Sequence, residues 1–272
     1  MTDEQTIEVS SWFPKWTKQL KQSYDGGASQ MFVLHGNVGD LLRIEKKEGV
    51  SYSMLPEFLA TQVFGSFDVV LYFDQVRGPR ALAATKSRLE KMNQHVERFI
   101  GSVEGLRATR KVARAFELLD HYLELSLLRE GERPSIAIIL DYAHFMVPST
   151  SVSNTARDLA PSLATLLNWA QSPYFKRAPF AFCLISERMS DLHAALVRGA
   201  HTTKIEIPHP DKRSRLQFVD WIAGGRDFAS LSEYNQNQLS ELTAGLTLVH
   251  LQGLMQRAIR TKERIVSSDL KV

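Results

Sequence analysis

Residues 31–43 read MFVLHGNVGDLLR, an apolar run followed by a turn with two glycines and a return to leucines. Phe32, Val33 and Leu34 form the kind of uninterrupted apolar run a parallel strand shows when both its faces are covered. Gly36 and Gly39 punctuate its exit, so the stretch reads as a buried strand, a glycine-bearing turn and then a helix. That is the setting of a phosphate-binding loop, G-x-x-x-x-G-K-[ST]. In that pattern the glycines let backbone N–H groups wrap the phosphates, Lys reaches the β/γ-phosphates and the hydroxyl ligates Mg²⁺. Laid on Gly36, the pattern meets Leu41, Leu42 and Arg43 where Gly, Lys and Ser/Thr belong. The turn is kept and the phosphate chemistry is not.

Working outward, apolar runs recur at Asp68–Phe73 (DVVLYF), Ser135–Leu140 (SIAIIL), Phe180–Ile185 and 203–207. They alternate with segments of helical spacing, among them Leu55–Phe64 and Asn154–Ala170, and the alternation predicts a parallel sheet layered by helices. The run SIAIIL ends on Asp141, at the carboxyl edge of such a sheet, where P-loop NTPases place the acid of their Mg²⁺ site. The next residue, a water-positioning Glu in hydrolysing members, is Tyr142. Between Gly78 and Arg129 no strand is expected. That segment carries Arg107, Arg110, Lys111 and Arg114, which read first as a solvated helix face and second as a phosphate-tracking surface for nucleic acid.

A chain of 272 residues, 44% hydrophobic and 23% charged, has the composition of a globular protein with a substantial core. Its formal net charge of +3 permits acidic partners without demanding them. No apolar run approaches the roughly 20 residues that span a bilayer. The start MTDEQTIEVS lacks the basic flank and apolar stretch of a signal peptide, so a cytoplasmic location is expected. The single cysteine, Cys183, sits inside an apolar run and reads as core. Trp12, Phe13 and Trp16 read as anchors of an exposed arm, packing within the chain. The expected organisation is an arm and helix at 1–27, an α/β domain at 28–223 with a helical insertion near 80–130, and a small helical subdomain at 224–272. The eight histidines are scattered and no metal-ligand cluster is expected.

The order strand and loop, strand, strand ending in Asp, strand, strand, helical lid resembles the AAA+ ATPases over most of residues 30–265. The stretch FCLISERMSDLHAALVRGAHTTKIEIPHPDKRSRLQFV at 182–219 is similar to the family's run from sensor 1 through the arginine fingers. LTAGLTLVHLQGLMQRA at 242–258 resembles its lid helices. The resemblance implies a five-stranded parallel sheet of AAA+ P-loop type with the first strand between those at 180–185 and 203–207, followed by a small α-helical lid.

Carried over residue by residue, the resemblance puts the P-loop Lys on Leu42, the Mg²⁺-binding hydroxyl on Arg43, the catalytic Glu on Tyr142 and the sensor 1 Asn on Glu187. The two arginine fingers fall on Ala200 and Thr203, with Arg198 and Lys204 nearby. Gly36, Asn37, Val38, Gly39 and Asp141 remain as vestigial nucleotide-site positions, and neither ATP nor a metal is expected as cofactor. The resemblance is to degenerate first domains of bacterial and plastid AAA+ proteins. It implies a structural, oligomerisation or client-docking role, with a homo-oligomer or an adjacent AAA+ domain and a protein client as partners and no membrane. The alternatives are a divergent ATPase borrowing its cation from Lys46 or Lys47, and a nucleic-acid module using the basic residues of 107–114. A guanidinium in place of the metal is a further expectation: Arg43, or failing it another nearby basic side chain, should neutralise Asp141, and Glu187 could share that cation.

Overall fold

The computed structural model describes residues 6–46, 48–129, 131, 133–149 and 159–270. In chain order the elements are α1 (Lys15–Asp25), β1 (Met31–Gly36), β2 (Leu41–Lys46), β3 (Gly49–Met54), α2 (Leu55–Phe58, continued by a π turn), β4 (Val69–Phe73) and β5 (Arg80–Ala81). Then come α3 (Lys86–Ile100), α4 (Val103–Ala108), α5 (Val112–Leu127), β6 (Ile136–Leu140), α6 (Ala143–Met146), α7 (Ala160–Gln171), α8 (Pro173–Lys176) and β7 (Phe180–Ile185). The last are α9 (Ala194–Val197), β8 (Thr202–Ile207), α10 (Lys212–Ala223), α11 (Gln236–Leu242) and α12 (Leu248–Thr261). The chain divides into two units, Met1–Val38 with Pro56–Ile207, and Gly39–Leu55 with Pro208–Val272.

The first unit is built on a six-stranded sheet of order β5-β4-β6-β7-β1-β8. Five of its strands are parallel and β1 lies between β7 and β8, so Phe32 sits between Cys183 and Thr203. β4, β6 and β7 are buried at every residue, as their unbroken apolar runs require. The sixth strand, β5, is an antiparallel addition of two residues that pairs Leu71 with Ala81 and Tyr72 with Arg80. It corrects the expectation that no strand lies between Gly78 and Arg129; two residues are too few to leave a periodic signal.

An aromatic file joins the helical insertion to the sheet. Phe116 of α5 stacks on Trp169 of α7, which stacks in turn on Phe182 of β7, at centroid distances of 5.6 and 4.9 Å. The Trp169 indole donates to Asp120 at 2.6 Å. Phe13 and Trp16 meet Phe58 edge-on, so the N-terminal aromatics close on their own unit. Cys183 is wholly buried, and burial pushes its thiol pKa up. Helix α7 begins at Ala160, and the earlier part of the helix expected from Asn154 lies outside the described residues.

The second unit holds a two-stranded antiparallel ribbon, β2–β3, together with α10, α11 and α12. Here the structure overturns the helix expected after Gly39. Leu41–Lys46 and Gly49–Met54 pair residue for residue from Leu41↔Met54 to Lys46↔Gly49. Ile44, Val50 and Tyr52 suit a pleated surface, and Gly49, at φ +127°, takes a backbone conformation that side-chain-bearing residues rarely adopt. The ribbon gains partners that a lone hairpin lacks. The Tyr52 ring packs against Phe218 and Trp221, each at 4.8 Å, and the Trp221 indole donates to the Val50 carbonyl at 3.0 Å. The helices begin where polar caps stand: Asp211 accepts from Ser214 N–H, Asn235 and Gln238 form a reciprocal capping box, and Thr247 accepts from His250 N–H.

Candidate functional site

The loop leaving β1 is closed by its own unit. The N–H of Gly36 donates to the Glu187 carbonyl at 3.0 Å, that of Asn37 to the Ile207 carbonyl at 2.8 Å, and that of Val38 to the Gly36 carbonyl at 2.8 Å. The Gly36 and Asn37 bonds carry the pairing of β1 with its neighbours into the start of the loop. Gly36 has φ +91°, and a Cβ there would lie 2.8 Å from the Ile207 carbonyl oxygen, so the approach of the loop to β8 depends on glycine. Gly39 has ordinary backbone angles and open space around it. Asp40 follows, only 3% exposed, and both its carboxylate oxygens accept from the start of α12: Leu248 N–H and Val249 N–H, each at 3.0 Å.

A second constellation lies at the carboxyl edge of β4 and β6. The register Phe73↔Leu140 places Asp74 and Asp141 side by side, one residue past each strand. Asp141 accepts from the Tyr72 hydroxyl at 2.8 Å and from the N–H of Tyr142 at 2.9 Å. Asp74 accepts the N–H groups of Val76 and Arg77 at 2.8 Å and forms an ion pair with Arg80 at 3.0 Å. Arg80 also lies over the Tyr72 ring, its guanidinium carbon 4.4 Å from the centroid. Burial raises the Asp141 pKa, against the lowering effect of the Tyr72 and Tyr142 bonds; the Asp74 charge raises it further and Arg80 lowers it. For Asp74 the upward pull of burial is outweighed by the Arg77, Arg80 and Val76 contacts, and its pKa is lowered. The Tyr72 phenol is pushed up, first by burial and then by the Asp141 charge.

The residues singled out from sequence divide accordingly. Leu41, Leu42 and Arg43 lie on β2, not on a helix after the loop, and Arg43 pairs with Glu45 at 2.8 Å. The cation that stands beside Asp141 is Arg80, a residue the sequence did not single out, and it acts through Asp74 and Tyr72 without bonding Asp141 directly. Two consecutive signals pointed to this edge: an Asp ending DVVLYFD as well as one ending SIAIILD. Tyr142 takes the left-handed conformation at φ 52° and is 55% exposed. Ala200 lies in the turn before β8; Thr203 and Lys204 lie on β8, and Lys204 reaches the Gly199 carbonyl at 3.4 Å. Of the basic residues at 107–114, Arg107 lies in the last turn of α4 and Arg114 pairs with Glu117 at 2.9 Å. Lys46 ends β2, while Lys47 lies outside the described residues. Among the described residues no group of three or more His, Cys, Asp or Glu side chains could hold a metal ion.

The family model described as the AAA+ chaperone N-terminal Rossmann-like domain matches residues 5–208, three quarters of the chain. The chain belongs to the AAA+ chaperone family. The second helical domain of AAA+ chaperones matches residues 213–272. Comparison with curated proteins gives no match. Among solved structures, a chain of the E. coli MS115-1 HORMA:CdnC:Trip13 complex is similar in fold, with a TM-score of 0.52 and 14% identity, over 91% of this chain and 73% of that one. The AAA+ family implies a magnesium-bound ATP, and the residues present do not fit one. A strand follows the loop in place of a helix, the positions for Lys and the metal-binding hydroxyl carry Leu42 and Arg43, and Asp141 is bonded by a phenol beside a guanidinium. No helix among the described residues is long and apolar enough to cross a membrane.

Proposed function

We propose that this chain is a non-catalytic AAA+ domain whose nucleotide site, at Gly36, Asn37, Val38, Gly39 and Asp141, is vestigial. It serves an AAA+ machine of the cytoplasm as a structural, oligomerisation or client-docking element, requires neither ATP nor Mg²⁺, and works as a homo-oligomer or beside a second AAA+ domain. The observation that carries this reading is the β2–β3 ribbon standing where the helix after the loop would begin. The helix N-terminus that attracts phosphate is gone with it, and a triphosphate would find no ammonium at position 42. A protein client is the partner in keeping with chaperone membership; the similar chain was itself solved within a complex of HORMA, CdnC and Trip13.

Equilibrium titration with a fluorescent ATP analogue, with and without Mg²⁺, tests the nucleotide half of the proposal. No saturable binding is expected. A dissociation constant near ~1 μM, about 8 kcal/mol of binding, would overturn it. Sedimentation of the purified chain across a concentration series tests the assembly half, which fails if the chain stays monomeric alone and with every candidate AAA+ partner offered.

A further inference from the structure

The misfit between this carboxyl edge and a divalent cation has a specific cause, and it rests on the reading that the nucleotide site is vestigial. Two carboxylates at adjacent parallel strand ends, Asp74 and Asp141, would repel one another if nothing positive stood between them. The opposing charge comes from the two-residue strand β5, whose antiparallel pairing sets Arg80 opposite Tyr72. From there the guanidinium reaches Asp74 at 3.0 Å while its carbon lies over the Tyr72 ring at 4.4 Å from the centroid, and the same phenol donates to Asp141 at 2.8 Å. Arginine fits this place better than lysine would, because its planar fork can pair a carboxylate and stack on an aromatic face at once. The Asp74 side chain is 8% exposed and that of Arg80 is 21% exposed, so the pair is shielded from solvent screening.

We propose that Arg80 is a built-in counter-cation: its guanidinium, fixed by Asp74 and Tyr72, takes the electrostatic place a divalent metal would need at the ends of β4 and β6 and so shuts the edge to Mg²⁺. Removing the charge leaves two neighbouring carboxylates with no cation and makes the edge attractive to a hard divalent ion, whose natural ligands are such oxygens. The exclusion therefore depends on one side chain and not on the loss of the acids.

The test uses Mn²⁺ as a paramagnetic probe, read as broadening of the backbone amide signals of Phe73, Asp74 and Tyr142 in the full chain. The native chain should show no selective broadening. Arg80→Met keeps the stem over the Tyr72 ring and removes the charge. It should bind Mn²⁺ at least about tenfold tighter than the native chain, the factor that ~1.4 kcal/mol carries, and the gain should vanish in Arg80→Met with Asp141→Asn. Tyr72→Phe frees an oxygen of Asp141 but keeps Arg80, and should still exclude Mn²⁺. A gain in Tyr72→Phe alone would make the hydroxyl the gate and overturn the proposal. So would a folded Arg80→Met chain as indifferent to Mn²⁺ as the native one. Should Arg80→Met fail to fold, Arg80→Gln carries the same expectation and the same refutation. Tight ATP binding by the native chain would instead defeat the vestigial-site reading, an outcome separate from these.

Discussion

The carboxylate of Asp40 caps a helix that begins 208 residues later: its Oδ2 accepts the N–H of Leu248 at 3.0 Å, and its Oδ1 accepts those of Val249 and Leu41 at 3.0 and 2.8 Å. Where a phosphate-binding loop would turn its amides toward a ligand, this chain spends a buried side-chain anion on the N-terminus of α12, a position that favours negative charge. Asp40→Ala should therefore destabilise the second unit by roughly 1–3 kcal/mol, through the lost cap and the unpaired N–H groups. Asp40→Asn, which keeps an acceptor but not the charge, should cost less. Urea unfolding followed by Trp221 fluorescence measures both; equal stability of the alanine variant and the native chain would refute the capping role.

The two loop glycines should respond in opposite ways to the same change. Gly36→Ala puts a methyl 2.8 Å from the Ile207 carbonyl oxygen at a φ of +91°, whereas Gly39→Ala meets nothing within 4 Å. The first should lose more than about 1 kcal/mol, and the second should stay within about 0.5 kcal/mol of the native chain. Thermal unfolding of the pair decides it.

Stability should vary with pH through Asp141 in a defined direction. Its pKa in the fold is raised, chiefly by burial, so the folded chain holds this proton more tightly than the unfolded chain does. The contribution of Asp141 is therefore greatest below the ordinary carboxylate range, falls as pH rises through the raised folded value, and is constant above it. Asp74, with a lowered pKa, acts the other way: its stabilisation is present above the ordinary range and is lost as pH falls through the folded value. Asp141→Asn should remove the first dependence and leave the second, so that stability rises more steeply with pH in the acid limb. Denaturant midpoints measured from pH 3 to pH 7 provide the comparison, and a slope unchanged by the substitution would refute it.

The basic residues near 107–114 should prove dispensable for nucleic acid. Arg114 already has Glu117 at 2.9 Å, with both side chains more than half exposed. Filter retention of a mixed-sequence RNA should be weak at low salt. Reversing Arg107 and Arg110 to Glu should cost less than about 0.5 kcal/mol in stability, as expected of exposed charges. Tight retention with a steep salt slope, abolished by that reversal, would restore the nucleic-acid reading.

Tyr52 should matter more than its half-exposed position in a hairpin suggests. Its ring lies against both Phe218 and Trp221, and burial, the largest influence, pushes the phenol pKa up to about 12. Tyr52→Ala should cost about 2–3 kcal/mol, and Tyr52→Phe much less. Guanidinium unfolding of the two variants separates packing from the hydroxyl.

Much of this architecture is legible in the residues. Unbroken apolar runs such as SIAIIL and FAFCLI have no polar face to leave in water, so a doubly covered parallel strand is the conformation that suits them, and β6 and β7 follow those runs closely. The segment after Gly39 was not legible as a ribbon. LLRIEK fits a helix or a strand locally, and the choice is made by Asp40, Phe218 and Trp221, two of which lie more than 160 residues away. The carboxyl edge was half legible. Asp141 stands out because it ends the most apolar run, but Arg80 is one arginine among many until the pairing of two residues sets it against Tyr72.

The second unit is assembled from 39–55 and 208–272, with five of the six strands of the large sheet encoded between them. During synthesis the ribbon leaves the ribosome well before the helices that cover Tyr52 and satisfy Asp40. For the time it takes to translate about 150 residues, some 10–30 s at ordinary rates, Leu41 and Tyr52 lack the helix residues they pack on. The nascent chain thus carries an early apolar hairpin whose closure waits on helices encoded about 150 residues later, and that interval is when a holding chaperone would bind.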